Sequence, residues 1–389
     1  MEPILDPHPI APHRIGVIGG GQLAWMLGQA AQNLGFPLWI QTPDPTDPAV
    51  AIATGSIFAP IADAQATAQL AQQCDVITFE NEFVDLAALQ TLVSAGVQFA
   101  PRLDNLRPLL DKYDQRCYFQ TIALPAPEFS LLTRNGAGQL NNPWGFPVVL
   151  KMRRQGYDGQ GTYIIHDGEA LEKAVQNQPL DRFLLEEFVP FDRELAVMVA
   201  RSSRGEIALY PVVETQQEDQ VCRRVIAPAP VALSIQQAAQ KIAQTFIEAI
   251  EGVGIFGLEF FLTQDDRLLI NEVAPRTHNS GHYTLEACYT SQFEQQIRAI
   301  CNLSLGCPDL KYTSAVMINL LGYESAHHTY ECQRQALAQI PQASLYWYNK
   351  PQARPGRKMG HLTIVFEEKS DRLDLKAINQ VVEQIWTRH

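Results

Sequence analysis

No Cys-x-x-Cys pair occurs in this sequence, and its seven cysteines are scattered and odd in number. That removes a zinc site of the usual spacing and argues against a disulfide framework, leaving reduced, mostly core-forming thiols of a cytosolic kind. No apolar run approaches the roughly 18 residues of a membrane span. The opening MEPILDPHPIAPH has no basic region ahead of an apolar block. No secretory signal is therefore expected, and the prolines suggest a flexible arm over 1–13. Positive charge is scarce too: 30 Lys and Arg against 42 Asp and Glu leave a net charge of −12. Broad binding to nucleic acid or to a membrane is not expected, although a local basic pocket is allowed. Internal repeats and low-complexity stretches are also absent. What remains is a 389-residue chain, 46% hydrophobic and 19% charged, with length for two or three domains. A cytoplasmic location is the default expectation.

The first hundred residues alternate strand and helix patterns. Arg14–Ile18 reads as a buried strand, followed by Gly19-Gly20-Gly21-Gln22-Leu23-Ala24 and an amphipathic helix to about Leu34. Strands at Pro37–Ile40, Asp75–Phe79 and Val97–Phe99, with a helix at Ala64–Gln73, predict a parallel α/β sheet. The G-x-G-x-x-A turn fits a dinucleotide, with Asp44 on its ribose. It fits equally any site where a helix N-terminus must approach a ligand closely. Glu80 and Glu82 lie just past a strand's C-terminal end, where such sheets bind ligands, and read otherwise as solvated loop acids.

Composition shifts near Pro101–Pro108, and a helix begins after Asp111-Lys112-Tyr113-Asp114-Gln115-Arg116. No GxxxxGK[ST] loop is present. Instead Pro147–Lys151 reads as a strand ending in a lysine, ahead of a flap with three glycines in the six residues Gly156 to Gly161. Protein kinases hold nucleotide phosphates with that arrangement, and an ordinary glycine-containing hairpin would look the same. Further strands are expected at Pro125–Leu132, Phe183–Val189 and Arg193–Val199, and helices at Ile235–Glu251 and Thr284–Ile300. The chain from about 309 reads as a small domain with strands at Ala315–Leu321, Leu345–Tyr348 and Leu362–Phe366. Lys350, Arg354, Arg357 and Lys358 put four cations into nine residues, either guarding a sheet edge or lining a phosphate pocket.

The stretch Gly254–His282 predicts a hairpin and a polar loop. A turn at Gln264–Arg267 sets Leu258 against Val273, Glu259 against Glu272 and Leu262 against Leu269. Two carboxylates with Cβ atoms roughly 4.5–5.5 Å apart repel each other. Either one is protonated or the register slips, or a hard cation sits between them, and Mg²⁺ suits one or two carboxylates completed by phosphates. The loop Arg276-Thr277-His278-Asn279-Ser280-Gly281-His282 concentrates donors suited to an anion.

Taken in order, the strand lysine, the glycine flap, the Glu-Glu-Phe-Val connector and the Glu259/Asn271-Glu272 pair resemble the ATP-grasp ligases. GGGQL, GYDGQG, NEVAPRTHNSGH and RPGRKMGH narrow the resemblance to the carboxylating ATP-grasp ligases of purine biosynthesis, over nearly the whole chain from Arg14. The implied fold class is α/β and α+β. It comprises a Rossmann-like pre-ATP-grasp domain over 14–108, a two-lobed ATP-grasp domain over 109–308 and a small C-terminal domain over 309–389. The implied substrates are ATP, bicarbonate and 5-aminoimidazole ribonucleotide, with Mg²⁺, a homodimer, and no nucleic-acid or membrane partner.

By the same resemblance, ATP would be held by Lys112, Lys151, the flap residues Gly156, Tyr157, Asp158, Gly159, Gln160 and Gly161, and Glu194 on the ribose. Glu186, Glu187, Phe188 and Val189 would line the adenine, with Gln217, Asn271 and Glu272 completing that half. Glu259 and Glu272 would ligate Mg²⁺. The imidazole nucleotide would meet Gln22, Leu23, Glu80, Tyr157, Asp158, Arg276, His278, Asn279, Ser280, Lys350, Arg357 and Lys358. Asp158 would accept the proton, with Lys350 tuning the site. Trp25, Gln160 and Gln217 depart from the residues usual at their positions. A relative with another acceptor would lack the RPGRK cluster, and an NAD-dependent dehydrogenase would explain only residues 14–44 and leave the second half idle. A non-catalytic nucleotide sensor would not require the intact set of Lys151, Asp158, Glu259 and Glu272.

Overall fold

The computed structural model describes residues 14–154, 156, 161–327, 329–367 and 375–387, with side chains omitted at 375–377. None of its helices among the described residues is long and apolar enough to cross a membrane.

The N-terminal sheet is parallel, in the order β3-β2-β1-β4, built from β1 (Ile15–Ile18), β2 (Leu38–Thr42), β3 (Gly55–Phe58) and β4 (Val76–Phe79). Every residue of β1 is buried because both faces are covered. Ile15 and Val17 pack with helix Gln22–Asn33, while Ile18 packs with Leu70, Ile77 and Phe99 on the other side. Asp63 and Asp85 cap the flanking helices, each accepting from two backbone N–H groups. The strand expected at Val97–Phe99 is a single bridge from Phe99 to Ile77, with Ile77 N donating to Gln98 O and Ala100 N to Ile77 O, both at 2.9 Å.

A second, antiparallel sheet runs β5-β8-β6-β7: β5 (Phe129–Leu131), β6 (Val148–Met152), β7 (Thr162–Ile165) and β8 (Phe183–Glu187). β6 and β7 form a hairpin, so the glycine flap is its connecting loop. Lys151 pairs with Leu184 and Val149 with Glu186, which makes Lys151 and Glu186 diagonal neighbours on one face.

The third sheet has nine strands: β9 (Phe191–Arg201), β10 (Ile207–Leu209), β11 (Val213–Glu218), β12 (Val221–Ala227), β13 (Gly254–Thr263), β14 (Leu268–Ala274), β15 (Ser314–Leu321), β16 (Ala343–Trp347) and β17 (Lys358–Phe366). Its order is β14-β13-β9-β11-β12-β15-β17-β16, with β10 on β9. The strands expected of a small C-terminal domain thus continue the central sheet through the β12–β15 pairing. Helix Leu233–Ile250 covers one face, placing Ala239, Ala243, Phe246 and Ile247 on Val197, Phe256, Leu258 and Phe260. The helix expected over Thr284–Ile300 is two, Thr284–Ala287 and Gln292–Ile300. Between them Cys288 bridges to Leu310, and Ser291 caps the second helix by accepting from Glu294 N.

The β13–β14 hairpin turns as expected, with Asp266 at φ 61° and its N–H donating to Thr263 O at 3.0 Å. Leu258 faces Val273 and Glu259 faces Glu272, but Phe260 then pairs with Ile270. Leu262 consequently opposes Leu268 rather than Leu269, because Asn271 is one extra residue, a β-bulge beside the glutamates.

Candidate active site

Helix Lys112–Thr121 organises the first half of the site. Asp111 caps it, accepting from Tyr113 N and Asp114 N, and Lys112, Gln115 and Arg116 share one face at i, i+3 and i+4. Gln115 clamps β14, accepting from Val273 N and donating to Val273 O, both at 3.0 Å. Arg116 Nη2 donates to the bulge carbonyl of Asn271 at 2.7 Å, and Lys112 Nζ donates to Glu272. Behind them lies a buried ion cluster: Arg116 Nε and Lys151 Nζ each stand 2.7 Å from one oxygen of Glu186. Lys151 also donates to Asn271 Oδ1 at 3.0 Å. Burial works against the Glu186 carboxylate, yet Arg116 and Lys151 outweigh it and hold its pKa below the usual range. Burial lowers the Lys151 pKa, and Glu186 offsets only part of that, so a nearby anion would stabilise the ammonium. Asp111 also receives Arg153 Nε at 3.0 Å and Arg154 Nε at 2.9 Å, fastening the base of the flap.

The two opposed glutamates are driven apart electrostatically. Burial, then Glu272 and Glu194, push Glu259 up to about 8. Glu272 is also penalised by burial, but Lys112 and Lys151 hold it down to about 2. Near neutral pH the two carboxylates are therefore pushed in opposite directions, Glu259 toward its protonated form and Glu272 toward its ionised form. Two carboxylates with the Asn271 amide oxygen beside them form a hard oxygen donor set that fits Mg²⁺. Among the described residues no group of three or more His, Cys, Asp or Glu could hold a metal, so the remaining ligands would have to come from substrate phosphates and water.

The loop after β14 forms the second half. Arg276 meets Glu82, in the loop after β4 of the N-terminal sheet, at 2.8 and 3.1 Å and donates to Thr277 O at 3.0 Å. Gln292 grips the backbone of His278, accepting from its N–H at 2.9 Å and donating to its C=O at 2.7 Å. Gly281 allows that grip, since a Cβ there would lie 2.5 Å from Gln292 Oε1. His278 Nδ1 lies 2.8 Å from Ser280 Oγ, and its Nε2 points to Glu259 at 3.7 Å. Asn279 and Asn319 of β15 exchange reciprocal amide hydrogen bonds of 3.0 and 2.7 Å.

Glu80 settles the meaning of the glycine turn. A Cβ on Gly21 would lie 2.4 Å from Glu80 Oε1, and one on Gly19 would lie 2.5 Å from Glu80 Oε2. The two glycines thus let the Glu80 carboxyl approach the backbone of the turn closely, a reason for glycine there that needs no dinucleotide. Asp44 caps its own loop, accepting from Thr46 N at 2.8 Å and Thr46 Oγ1 at 2.7 Å. Burial raises the Glu80 pKa, and Arg276 and Lys350 are among the charges that lower it. The cationic segment is not an edge guard: β17 lies between β15 and β16. Lys350 Nζ donates to Lys358 O at 2.8 Å above the Tyr348 ring, and Arg357 donates to Gln352 O at 2.6 Å.

This layout matches known proteins. Residues 13–108 match the ribonucleotide synthetase preATP-grasp domain, 117–293 the ATP-grasp domain, and 315–374 the phosphoribosylaminoimidazole carboxylase C-terminal domain. N5-carboxyaminoimidazole ribonucleotide synthase of Synechococcus elongatus is 54% identical over 351 residues, 90% of this chain and 89% of that protein. The chain belongs to the N5-carboxyaminoimidazole ribonucleotide synthase family. The synthetase of this family from Thermotoga maritima superposes with a TM-score of 0.84 at 40% identity, covering 95% of this chain and 98% of that one. The Aspergillus clavatus synthase in complex with ADP and 5-aminoimidazole ribonucleotide gives 0.86 at 32% identity, covering 96% and 99%.

Within this synthase family frame, Lys112, Lys151, Glu186, Asn271 and Glu272 form one connected set, and Glu80, Arg276, His278, Asn279 and Ser280 converge on the neighbouring loop. Tyr157, Asp158, Gly159 and Gln160 lie outside the described residues. The Leu23 side chain is buried in the N-terminal core. Gln217 hydrogen-bonds Glu194, whose pKa is raised by burial. The sequence reading misses Arg116, Gln115, Asn319 and the role of Glu82. Arg116 follows Lys112 by four residues, and Asn319 interrupts an otherwise apolar strand; either could have been flagged.

Proposed function

We propose that this chain carboxylates 5-aminoimidazole ribonucleotide with bicarbonate at the expense of ATP, giving 5-(carboxyamino)imidazole ribonucleotide, ADP and phosphate. The observation that carries this reading is the β13–β14 hairpin, which serves both halves at once. Its Asn271 and Glu272 meet Lys151 and Lys112, while its Glu259 faces His278 of the anion loop. The Aspergillus clavatus relative with ADP and the imidazole nucleotide supports the same pairing of ligands.

In this mechanism Lys112 and Lys151 hold the ATP phosphates, Glu194 holds the ribose, and the backbone of Glu186–Val189 lines the adenine. Glu259 and Glu272 would hold Mg²⁺, which when bound neutralises phosphate oxygens during phosphoryl transfer. A bicarbonate oxygen attacks the γ-phosphate, releasing ADP and forming carboxyphosphate. Closing of the glycine flap, Gly156 to Gly161, would keep water from that intermediate. The exocyclic amine, oriented by Arg276, His278, Ser280 and the Lys350–Lys358 segment, then takes the carboxyl group from carboxyphosphate or from CO₂ released from it, with inorganic phosphate as the other product. Asp158 accepts the amine proton, with Lys350 tuning it. We assign the same protein a cytoplasmic location and a homodimeric state, which sedimentation analysis checks. The deciding assay follows ADP release with bicarbonate or the imidazole nucleotide omitted in turn. ADP formation is expected to need both, and turnover indifferent to the imidazole nucleotide would overturn the assignment.

A further inference from the structure

Arg116 belongs to neither set of ligand contacts, yet its side chain is only 1% exposed. We propose that Arg116 is a positioning residue of the nucleotide half-site, holding Glu186 and the β14 bulge so that Lys151 can transfer from carboxylate to phosphate. The inference rests on the ATP reading of Lys151 given above.

The buried cluster contains two cations and one carboxylate, and each carboxylate oxygen has its own cation at 2.7 Å. Arg116 is anchored at two points on different sheets, Glu186 of β8 and the Asn271 carbonyl of β14. Lys151 touches only side chains, Glu186 and the Asn271 amide, next to the start of the flap. It is therefore the member of the cluster that can move. When its ammonium turns to a phosphate oxygen, Glu186 still has Arg116 opposite it. Without Arg116 the same turn would strand a buried carboxylate, and breaking a buried pair in that way is strongly unfavourable. ATP would then have to compete with Glu186 for Lys151. The fork of an arginine reaches a carboxylate and a carbonyl together, which a lysine's point charge does not. A purely structural arginine would weaken the fold without choosing between substrates.

The test compares Arg116→Met and Arg116→Lys with the wild type, using calorimetric ATP binding and the KM values of ATP and the imidazole nucleotide. Arg116→Met is expected to raise the ATP Kd and KM by about tenfold or more, and Arg116→Lys by roughly threefold to fivefold. The KM of the imidazole nucleotide should stay within about twofold in both. A folded variant whose ATP Kd stays within about twofold of wild type, or a parallel rise in both KM values, overturns the proposal. Should Arg116→Met fail to fold, Arg116→Lys decides by the same comparison. A wild-type protein that fails to bind ATP would instead overturn the ATP reading itself.

Discussion

Glu259 and Glu272 are identical side chains held in opposite protonation states by their neighbours. Burial and its partner's charge keep a proton on Glu259, whereas Lys112, 160 residues away in sequence, keeps Glu272 ionised. Of the readings taken from the sequence alone, a proton on one glutamate agrees with this opposition, the register does not slip at the pair, and the cation belongs to the proposed mechanism. The opposition of the two glutamates is legible from spacing, but which keeps the proton is not, because Lys112 and Lys151 arrive from distant segments. The pH consequence has a definite sign. Glu259 rises from an ordinary 4.5 to about 8, so the folded chain holds a proton that the unfolded chain has released across that window. Its stabilising contribution is complete below about 4.5 and is lost as pH rises through about 8. Glu272 behaves oppositely, contributing above about 4.5 and losing that contribution as pH falls through about 2. Thermal melts in chelator should show stability falling from about pH 5 to 8, by at most about 1.4 kcal/mol per pH unit from Glu259. Glu259→Gln should remove that part of the slope, and identical slopes in both proteins would show that Glu259 is ionised throughout.

At the scale of elements, alternation and helical period suffice for most strands and for the helices at Gln22–Asn33 and Leu233–Ile250. They fail where one residue is inserted or a helix is interrupted. A period of two gives no sign of the bulge at Asn271, which is what brings Asn271 and Glu272 to two different lysines. The break before Gln292 did have a signal, since Ser291-x-x-Glu294 is a capping-box pattern. β15 carries the clearest consequence for the substrate loop. Asn319 is fully buried and uses its amide on Asn279 and on Cys222 O, at 2.8 Å for the latter. Asn279 thus has most of its amide committed within the protein, and the loop is held in shape from behind. Asn319→Leu is expected to raise the KM of the imidazole nucleotide about tenfold while leaving that of ATP within about twofold. Steady-state kinetics with each substrate varied would show it, and an equal rise in both would reduce Asn319 to a scaffold residue.

Across the whole molecule, no single sheet supplies all the residues proposed for the imidazole nucleotide half. The loop after β4 supplies Glu80 and Glu82, the loop after β14 supplies Arg276, and the segment before β17 supplies Lys350. The composition shift near Pro101–Pro108 and the small domain expected from about 309 mark segments of chain, and side chains and strands pack across both boundaries. Phe293, Ile297 and Ile300 pack into the N-terminal cluster, and β15 pairs with β12. Such cross-segment packing is invisible to local patterns, because each partner is simply apolar until the chain is folded. The Glu82–Arg276 pair is the polar counterpart of that packing. Each side chain is about one-fifth exposed, at 22% and 20%, and they meet across 194 residues of sequence. If the pair aims Arg276 at the substrate, losing either partner should leave Arg276 absent or misdirected. Glu82→Gln and Arg276→Gln should each raise the KM of the imidazole nucleotide about tenfold with ATP binding unchanged, and the double variant should be no worse than the poorer single one. Independent action would give additive losses of about a hundredfold in the double variant, and that outcome would show that the two side chains serve the site separately.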